Sequence, residues 1–290
     1  MKLKTVLATA VLFGSALGAE YGIAAEKKRA PAVAPAGSIH PERGPLVATA
    51  ELGSLAVLSH TVQFGKNGTE LNYRTEGGQD NLYFNIKLAL DLELAKRHHI
   101  IALYQPLELV TEERLDTDLI VDEVTFPADT PMRFTYGFPF YRASYLYDFV
   151  QNDTTRFAFG GSLQIRNANI AFASQDGTLL KTNRDLGPVP LLKAVWEQQP
   201  SPSWWYGAEV DGIYAPISYL NGSDTEVKGA LLDANLRIGT PFSKEADIYL
   251  NLRYLAGGAT GTSDEEPPSD GYVDNWLHFG IAAIGFRLNP

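Results

Sequence analysis

Cysteine is absent from the 290 residues, and histidine is scarce at five. Without cysteine there is no disulfide framework, no thiol nucleophile, no zinc–thiolate site and no lipid attachment at a processed N-terminal cysteine. Cations are short as well: 24 Lys and Arg stand against 34 Asp and Glu, a formal net charge of −10. So acidic a chain is a poor partner for nucleic acid, whose phosphates demand positive charge. Long apolar runs are also missing, since nothing after residue 18 approaches the ~20 apolar residues of a membrane-crossing helix.

What is present begins with an export signal. Lys2 and Lys4 precede an apolar run from Thr5 to Phe13, and Ala16-Leu17-Gly18 before Ala19 has the small-x-small form that a signal peptidase reads. A second such site, Gly22-Ile23-Ala24, allows a later cut near residue 24. We therefore expect a signal peptide over 1–18, then a periplasmic leader over 19–45 containing Pro31, Pro35, Pro41 and Pro45. The rest, 46–290, is 45% apolar and 20% charged by whole-chain composition, which suits a folded domain.

Period-two alternation dominates that domain. From Leu82 to Leu94 every even position is apolar, while the odd positions include Asn85, Lys87, Asp91 and Glu93. Such alternation makes a strand with one apolar and one polar face. Its length is about twice that of strands in soluble domains and matches a tilted strand crossing a bilayer. The same pattern recurs near 55–65, 99–110, 139–150, 155–172, 188–198, 203–215, 228–240, 246–258 and 275–288. Links between these segments alternate between short (Lys96-Arg97-His98, 151–154, 199–202, 241–245) and long (66–80, 111–138, 173–187, 216–227, 259–274). Within the longest link, Leu119 to Phe126 reads as a further strand pair above the rest.

Short periplasmic turns alternating with long outer loops are the plan of bacterial outer-membrane barrels. The expected fold is all-β: a closed antiparallel transmembrane β-barrel of about ten strands, within eight to twelve, both ends periplasmic. Aromatics near strand ends, among them Tyr83, Tyr141, Trp196, Trp204, Trp205, Tyr206, Tyr214, Tyr254 and Trp276, suit two interfacial belts. A soluble periplasmic β-sandwich is the competing architecture, its polar face then meeting solvent.

Several stretches carry a family likeness: Tyr104-Gln105-Pro106-Leu107, Gly137-Phe138-Pro139-Phe140-Tyr141-Arg142, and Gly160-Gly161-Ser162-Leu163-Gln164-Ile165-Arg166-Asn167-Ala168. The chain resembles a widespread group of poorly characterised outer-membrane β-barrel proteins of Gram-negative bacteria. Asn167 stands where that group carries aspartate. The resemblance implies a barrel in the outer membrane and no particular chemistry.

On this plan the polar faces line a lumen. Arg142, Arg156, Arg166, Glu209, Asp211, Asp233, Arg237 and Arg253 are the candidate lumen or constriction residues. Both signs interleave, so a narrow barrel would satisfy its charges in pairs, either filling the lumen or lining a small pore. The expected function is thus an outer-membrane structural or small-pore protein with a polar, charge-paired lumen and no assigned substrate. The alternative is a barrel enzyme acting on lipid or peptide through His60 or His278, whose strands become neighbours on closure. No Asp-x-His pair, His-x-Ser pair or Gly-x-Ser-x-Gly elbow supports it. Neither cofactor nor metal is expected: His98 and His99 point apart as adjacent strand residues, and the acidic loops lack EF-hand spacing. Expected partners are outer-membrane lipid and lipopolysaccharide, with periplasmic chaperones and the barrel assembly machinery during biogenesis.

Overall fold

A computed structural model describes residues 45–216, 227–263 and 269–289. The expected signal peptide and leader, Pro45 apart, lie outside the described residues. Among the described residues there are fifteen strands and no helix: β1 (Leu46–Phe64), β2 (Leu71–Asn72), β3 (Leu82–Ala95), β4 (His98–Gln105), β5 (Glu108–Arg114), β6 (Leu119–Val121), β7 (Val124–Phe126), β8 (Pro131–Gly137), β9 (Phe140–Gln151), β10 (Thr155–Ser174), β11 (Leu180–Ser201), β12 (Trp204–Pro216), β13 (Lys228–Pro241), β14 (Ala246–Thr262) and β15 (Tyr272–Leu288).

Ten of them close a barrel. The order β1-β3-β4-β9-β10-β11-β12-β13-β14-β15 is antiparallel throughout, and β15 returns to β1 from Ala48↔Leu288 to Phe64↔Val273. Closure leaves every barrel strand paired on both sides, which removes the open edges that a β-sheet otherwise exposes. The structure is therefore a closed, ten-stranded antiparallel β-barrel. Short connections gather at one end with both termini of the barrel, and we call this the turn end; the other is the loop end.

Several strands run well past their expected limits. β1 begins at Leu46 rather than near 55, and β11 begins at Leu180 rather than near 188. The expected long link over 173–187 is instead a tight hairpin between β10 and β11, turning at Gly177 with φ of +75°. The expected strand over 99–110 is broken, because Pro106 has no N–H for the ladder, and the chain resumes as β5 paired only with β8. β5 and β8 extend the β4–β9 hairpin upward, and β8 continues along β10 from Asn169↔Gly137. The β6–β7 hairpin, where Leu119 to Phe126 was expected to pair, folds against the end of β1: Asp122 N–H donates to the Phe64 carbonyl at 3.0 Å.

Strand length explains this double storey. Twenty residues of β10, at ~3.3 Å each and a tilt of ~40°, rise about 50 Å, roughly twice the apolar band of a membrane barrel. The two storeys differ in what faces inward. On β10, Phe157, Phe159, Leu163 and Ile165 face outward while Arg156, Ser162 and Gln164 face inward. Four residues on, the pattern inverts: Asn167 is exposed, and Ala168, Ile170 and Phe172 are buried inside. β14 inverts between Arg253 and Leu255, and β15 changes from outward Ile284 and Phe286 to inward Phe279 and Leu277.

The loop-end storey consequently holds an apolar core. Phe134 and Tyr136 of β8, Phe172 of β10, Phe279 of β15, Leu109 of β5 and Tyr73 from the β2–β3 link pack together there. The hairpin residues Leu119, Val121 and Phe126 close it from above.

Candidate functional site

The turn-end storey holds the charges. One unbroken sequence of ion pairs crosses the lumen at mid-height. Lys87 of β3 meets Glu51 of β1 at 2.8 Å, and Glu51 faces Arg237 of β13 at 3.6 Å. Arg237 meets Glu209 of β12 at 2.9 Å; Glu209 and Asp211 share Lys193 of β11 at 2.5 and 2.7 Å. Arg142 of β9 then bridges Asp211 and Asp233 at 3.0 and 2.9 Å, and Arg253 of β14 grips Asp233 at 2.6 Å. β9 and β13 lie on opposite sides of the barrel, so the Arg142–Asp233 contact spans the lumen.

Neutral groups complete these charges. Gln164 accepts from Arg142 Nε at 2.9 Å, Gln105 accepts from Arg253 at 2.6 Å, and Ser162 donates to Asp211 at 2.6 Å. Tyr249 Oη and Asn251 Nδ2 each donate to Glu51 at 2.9 Å. Tyr249 reaches across because Gly285 sits beneath its ring, where a Cβ would lie 2.1 Å from the ring carbon bearing the hydroxyl. Buried charges are tolerated only when paired and hydrogen-bonded in this way.

A second layer lies nearer the turns. Arg287 meets Glu197 at 2.5 Å and stacks over Trp205, 4.2 Å from its ring centre. Arg156 meets Asp148 at 2.9 Å. His99 sits between two carboxylates, Nδ1 3.0 Å from Asp91 and Nε2 3.2 Å from Asp148. An imidazole donates from both nitrogens only as the cation. With Asp247, 3.8 Å from Arg287, eight carboxylates face the seven Lys and Arg side chains of the two layers, and an imidazolium at His99 would make the charges equal.

Of the candidate lumen residues, Arg142, Glu209, Asp211, Asp233, Arg237 and Arg253 meet in the mid-height chain, and Arg156 in the turn-end layer. Arg166 does not join them. It points inward but stands above the ion pairs, bound to the exposed Asp185 of the β10–β11 hairpin. Participants outside that candidate set include Glu51, Lys87, Lys193, Asn251 and, in the turn-end layer, Glu197, Asp148 and Arg287. Glu51 lies on the same odd-numbered face as Leu55 and Val57, so extending β1 backwards by parity would have reached it. The expectation was a polar, charge-paired lumen; above the ion pairs the interior is apolar.

The two candidate histidines part company. A β-bulge leaves Leu58 unpaired between Val57↔Phe279 and Ser59↔His278, which turns β1 over and carries His60 inside. There His60 is buried, bonded through Nδ1 to Gln79 at 2.8 Å and stacked on Tyr73. His278 stays on the outer face, bonded to Tyr254 Oη at 2.6 Å. They share no site. Tyr83 and Trp205, expected in the belts, also point inward.

The outer face around the ion-paired storey is apolar. Trp204 and Tyr206 stack near the turns, Tyr104 stacks on Tyr141 towards the loops, and Tyr254 and Tyr214 stand at similar height. On β12, Trp204 and Tyr214 are ten residues apart, which spans about 25 Å of barrel height at the usual tilt. A recess of ≈ 580 Å³ opens on this face beside Trp196 and Tyr254, over Ala194, Ala208 and Ala234.

No family model and no curated protein sequence matches the chain. Among solved structures it is similar to the outer-membrane protease OmpT of Escherichia coli, at 11% identity over 86% of this chain and 98% of that one, TM-score 0.48. It is also similar to Ail, the attachment invasion locus protein of Yersinia pestis (10% identity, 84% and 100% covered, TM-score 0.34), and to Neisserial surface protein A (9%, 85% and 98%, TM-score 0.32). These neighbours are outer-membrane β-barrel proteins of Gram-negative bacteria. The closed barrel of this chain stands on its own strand register.

Proposed function

We propose that the chain is an outer-membrane β-barrel protein, exported through its N-terminal signal, with a sealed lumen. In this reading the turn end faces the periplasm, and the protein acts as a structural barrel that presents its loop end outside the cell. One observation carries it: inside and outside exchange chemistry along single strands, at a common height. Below the exchange an apolar exterior about 25 Å tall, rimmed by aromatics, surrounds a charged interior, which suits hydrocarbon outside. Above it β10 and β14 turn Asn167, Thr260 and Thr262 outward over an apolar interior, which suits water outside, although Leu82, Phe84, Leu180 and Leu186 are also exposed there.

The seal follows from the ion pairs. A conducting water column at mid-height would have to part Arg142 from Asp233 and strand both charges. Outer-membrane lipid and lipopolysaccharide are the partners of the belt and its loop-end rim. Periplasmic chaperones and the barrel assembly machinery would serve its insertion.

Single-channel recording of the folded, heat-modifiable protein in a planar bilayer tests the reading. The wild type is expected to insert and give no steady steps, while Arg142→Ala with Asp233→Ala gives small open steps. Steady wild-type conductance would return the small-pore reading.

A further inference from the structure

β5 pairs with β8 alone, and apart from the two-residue β2 and the three-residue strands of the β6–β7 hairpin it is the one strand with a neighbour on a single edge, among the described residues. The cause is Pro106. The last β3–β4 pair is Leu88↔Tyr104, after which Pro106 offers no N–H, and β3 and β5 climb apart without pairing. The β2–β3 link touches β5 through side chains alone: Thr111 Oγ1 donates to the Gly77 carbonyl at 2.5 Å, and the Glu113 side chain packs at Gly78. Seven residues of backbone, Glu108–Arg114, therefore keep one row of donors and acceptors unladdered at the loop end.

An unladdered edge is a template for another strand, and proteins commonly guard it with charge. Here the guard has one sign. Glu112 is engaged with Arg133 at 2.8 Å, and Arg114 with the Asp129 carbonyl. Glu108, Glu113 and the neighbouring Asp80 have no cationic partner among the described residues.

We propose that the free edge of β5 is a strand-addition site for an extended cationic peptide. The peptide backbone pairs along Glu108–Arg114, and its basic side chains reach Glu108 on one face and Glu113 on the other. This goes beyond the sealed-barrel reading and does not depend on it, because the edge exists whether or not the lumen conducts.

The test uses the full folded chain in detergent micelles and a fluorescein-labelled Lys-Val octapeptide, two repeats of Lys-Lys-Val-Val, which puts lysines on both faces of the strand, read by anisotropy. Two companion probes share its length: a Glu-Val peptide with Glu in place of each Lys, and the Lys-Val peptide N-methylated at every second amide. Saturable binding of the Lys-Val peptide is expected, with loss of about ten-fold or more on N-methylation, since methyl groups remove the ladder donors. Glu108→Gln with Glu113→Gln is expected to weaken it about ten-fold while heat-modifiability stays intact. Equal binding of the methylated and unmethylated peptides would overturn strand addition. Equal binding of the Lys-Val and Glu-Val peptides would overturn the charge selection, and absence of saturable binding would overturn the site. None of these outcomes bears on conductance.

Discussion

Arg253 and Leu255 stand two residues apart on β14 and both point into the barrel. Arg253 belongs to a chain of ion pairs, whereas Leu255 belongs to an apolar core. The backbone, the sheet and the register are the same for both, so local conformation does not distinguish them. What differs is the surface behind each. Behind Arg253 the outer face carries Leu252 and Tyr254; above Leu255 it carries Gly258, Thr260 and Thr262. Where hydrocarbon covers the outside, apolar residues gain nothing by turning inward, and the interior is held by charge pairing and hydrogen bonds. Where water covers the outside, burial of apolar area again drives packing. One barrel thus uses two kinds of cohesion, and each can be broken separately.

The hardest break is expected in the charged storey. Asp233→Ala removes the partner of Arg253 and one of the two partners of Arg142, leaving a guanidinium buried among the remaining cations. Truncating one side of a buried pair costs about 3–5 kcal/mol. The urea midpoint of the heat-modifiable band should fall accordingly, and an unchanged midpoint would mean that the chain of pairs contributes little.

Phe172→Ala attacks the other storey. It empties a fully buried site between Phe64, Tyr73 and Phe134, at a cost of about 3–4 kcal/mol. Because the core sits above the belt, the expected readout is faster proteolysis at the loop end with the heat-modifiable barrel retained. Simultaneous loss of both would show that the storeys unfold as one unit.

How far these storeys can be read from sequence depends on the residue. Leu82 to Leu94 declares its strand and its faces, because one phase of alternation holds throughout. β10 contains two phases, and a reading that keeps apolar residues outward follows Phe157 to Ile165 and then loses the thread at Ile170 and Phe172. Bulges cause the same kind of error: only the unpaired Leu58 tells that His60 faces inward, and nothing in the spacing of His60 marks it. Glu51 and Arg287 went unread for a different reason. Glu51 lies before the stretch near 55–65 that alternation delimited, among small residues of β1, and Arg287, inside 275–288, stands alone as a charge in an otherwise apolar run. The cross-lumen contacts themselves join residues as far apart as Arg142 and Asp233, and parity places such residues inside without saying which will meet.

The boundary between the storeys can be located by charge scanning on the outer face. Leu252→Arg places a cation within the belt, and the cost of about 2–4 kcal/mol for a charge near the bilayer midplane should appear in folding into vesicles. Asn167→Arg, outward-facing but above the inversion on β10, should stay within about 0.5 kcal/mol of wild type. Equal costs at the two positions would place the boundary elsewhere and remove the explanation given for the inversion.

The smallest effect concerns the hairpin that caps the apolar storey. Lys181 of β11 ties its turn down, meeting Asp122 at 3.1 Å and Glu123 at 2.9 Å. The hydrogen bond from Lys181 holds the Glu123 carboxyl below its ordinary value of 4.5. A lowered carboxylate contributes stability that is present above the unfolded-state value and is lost as pH falls through the folded one. The pair is partly exposed, so solvent and salt limit it to well under about 1 kcal/mol. Amide exchange in β6 and β7 should therefore be flat from neutral pH down to about 5 after correction for the intrinsic rate, and quicken below that. Glu123→Gln should raise exchange slightly at neutral pH and flatten the acid limb, as should added salt in the wild type. An acid limb that persists undiminished in Glu123→Gln would rule out the Lys181–Glu123 pair as the cause of the loosening.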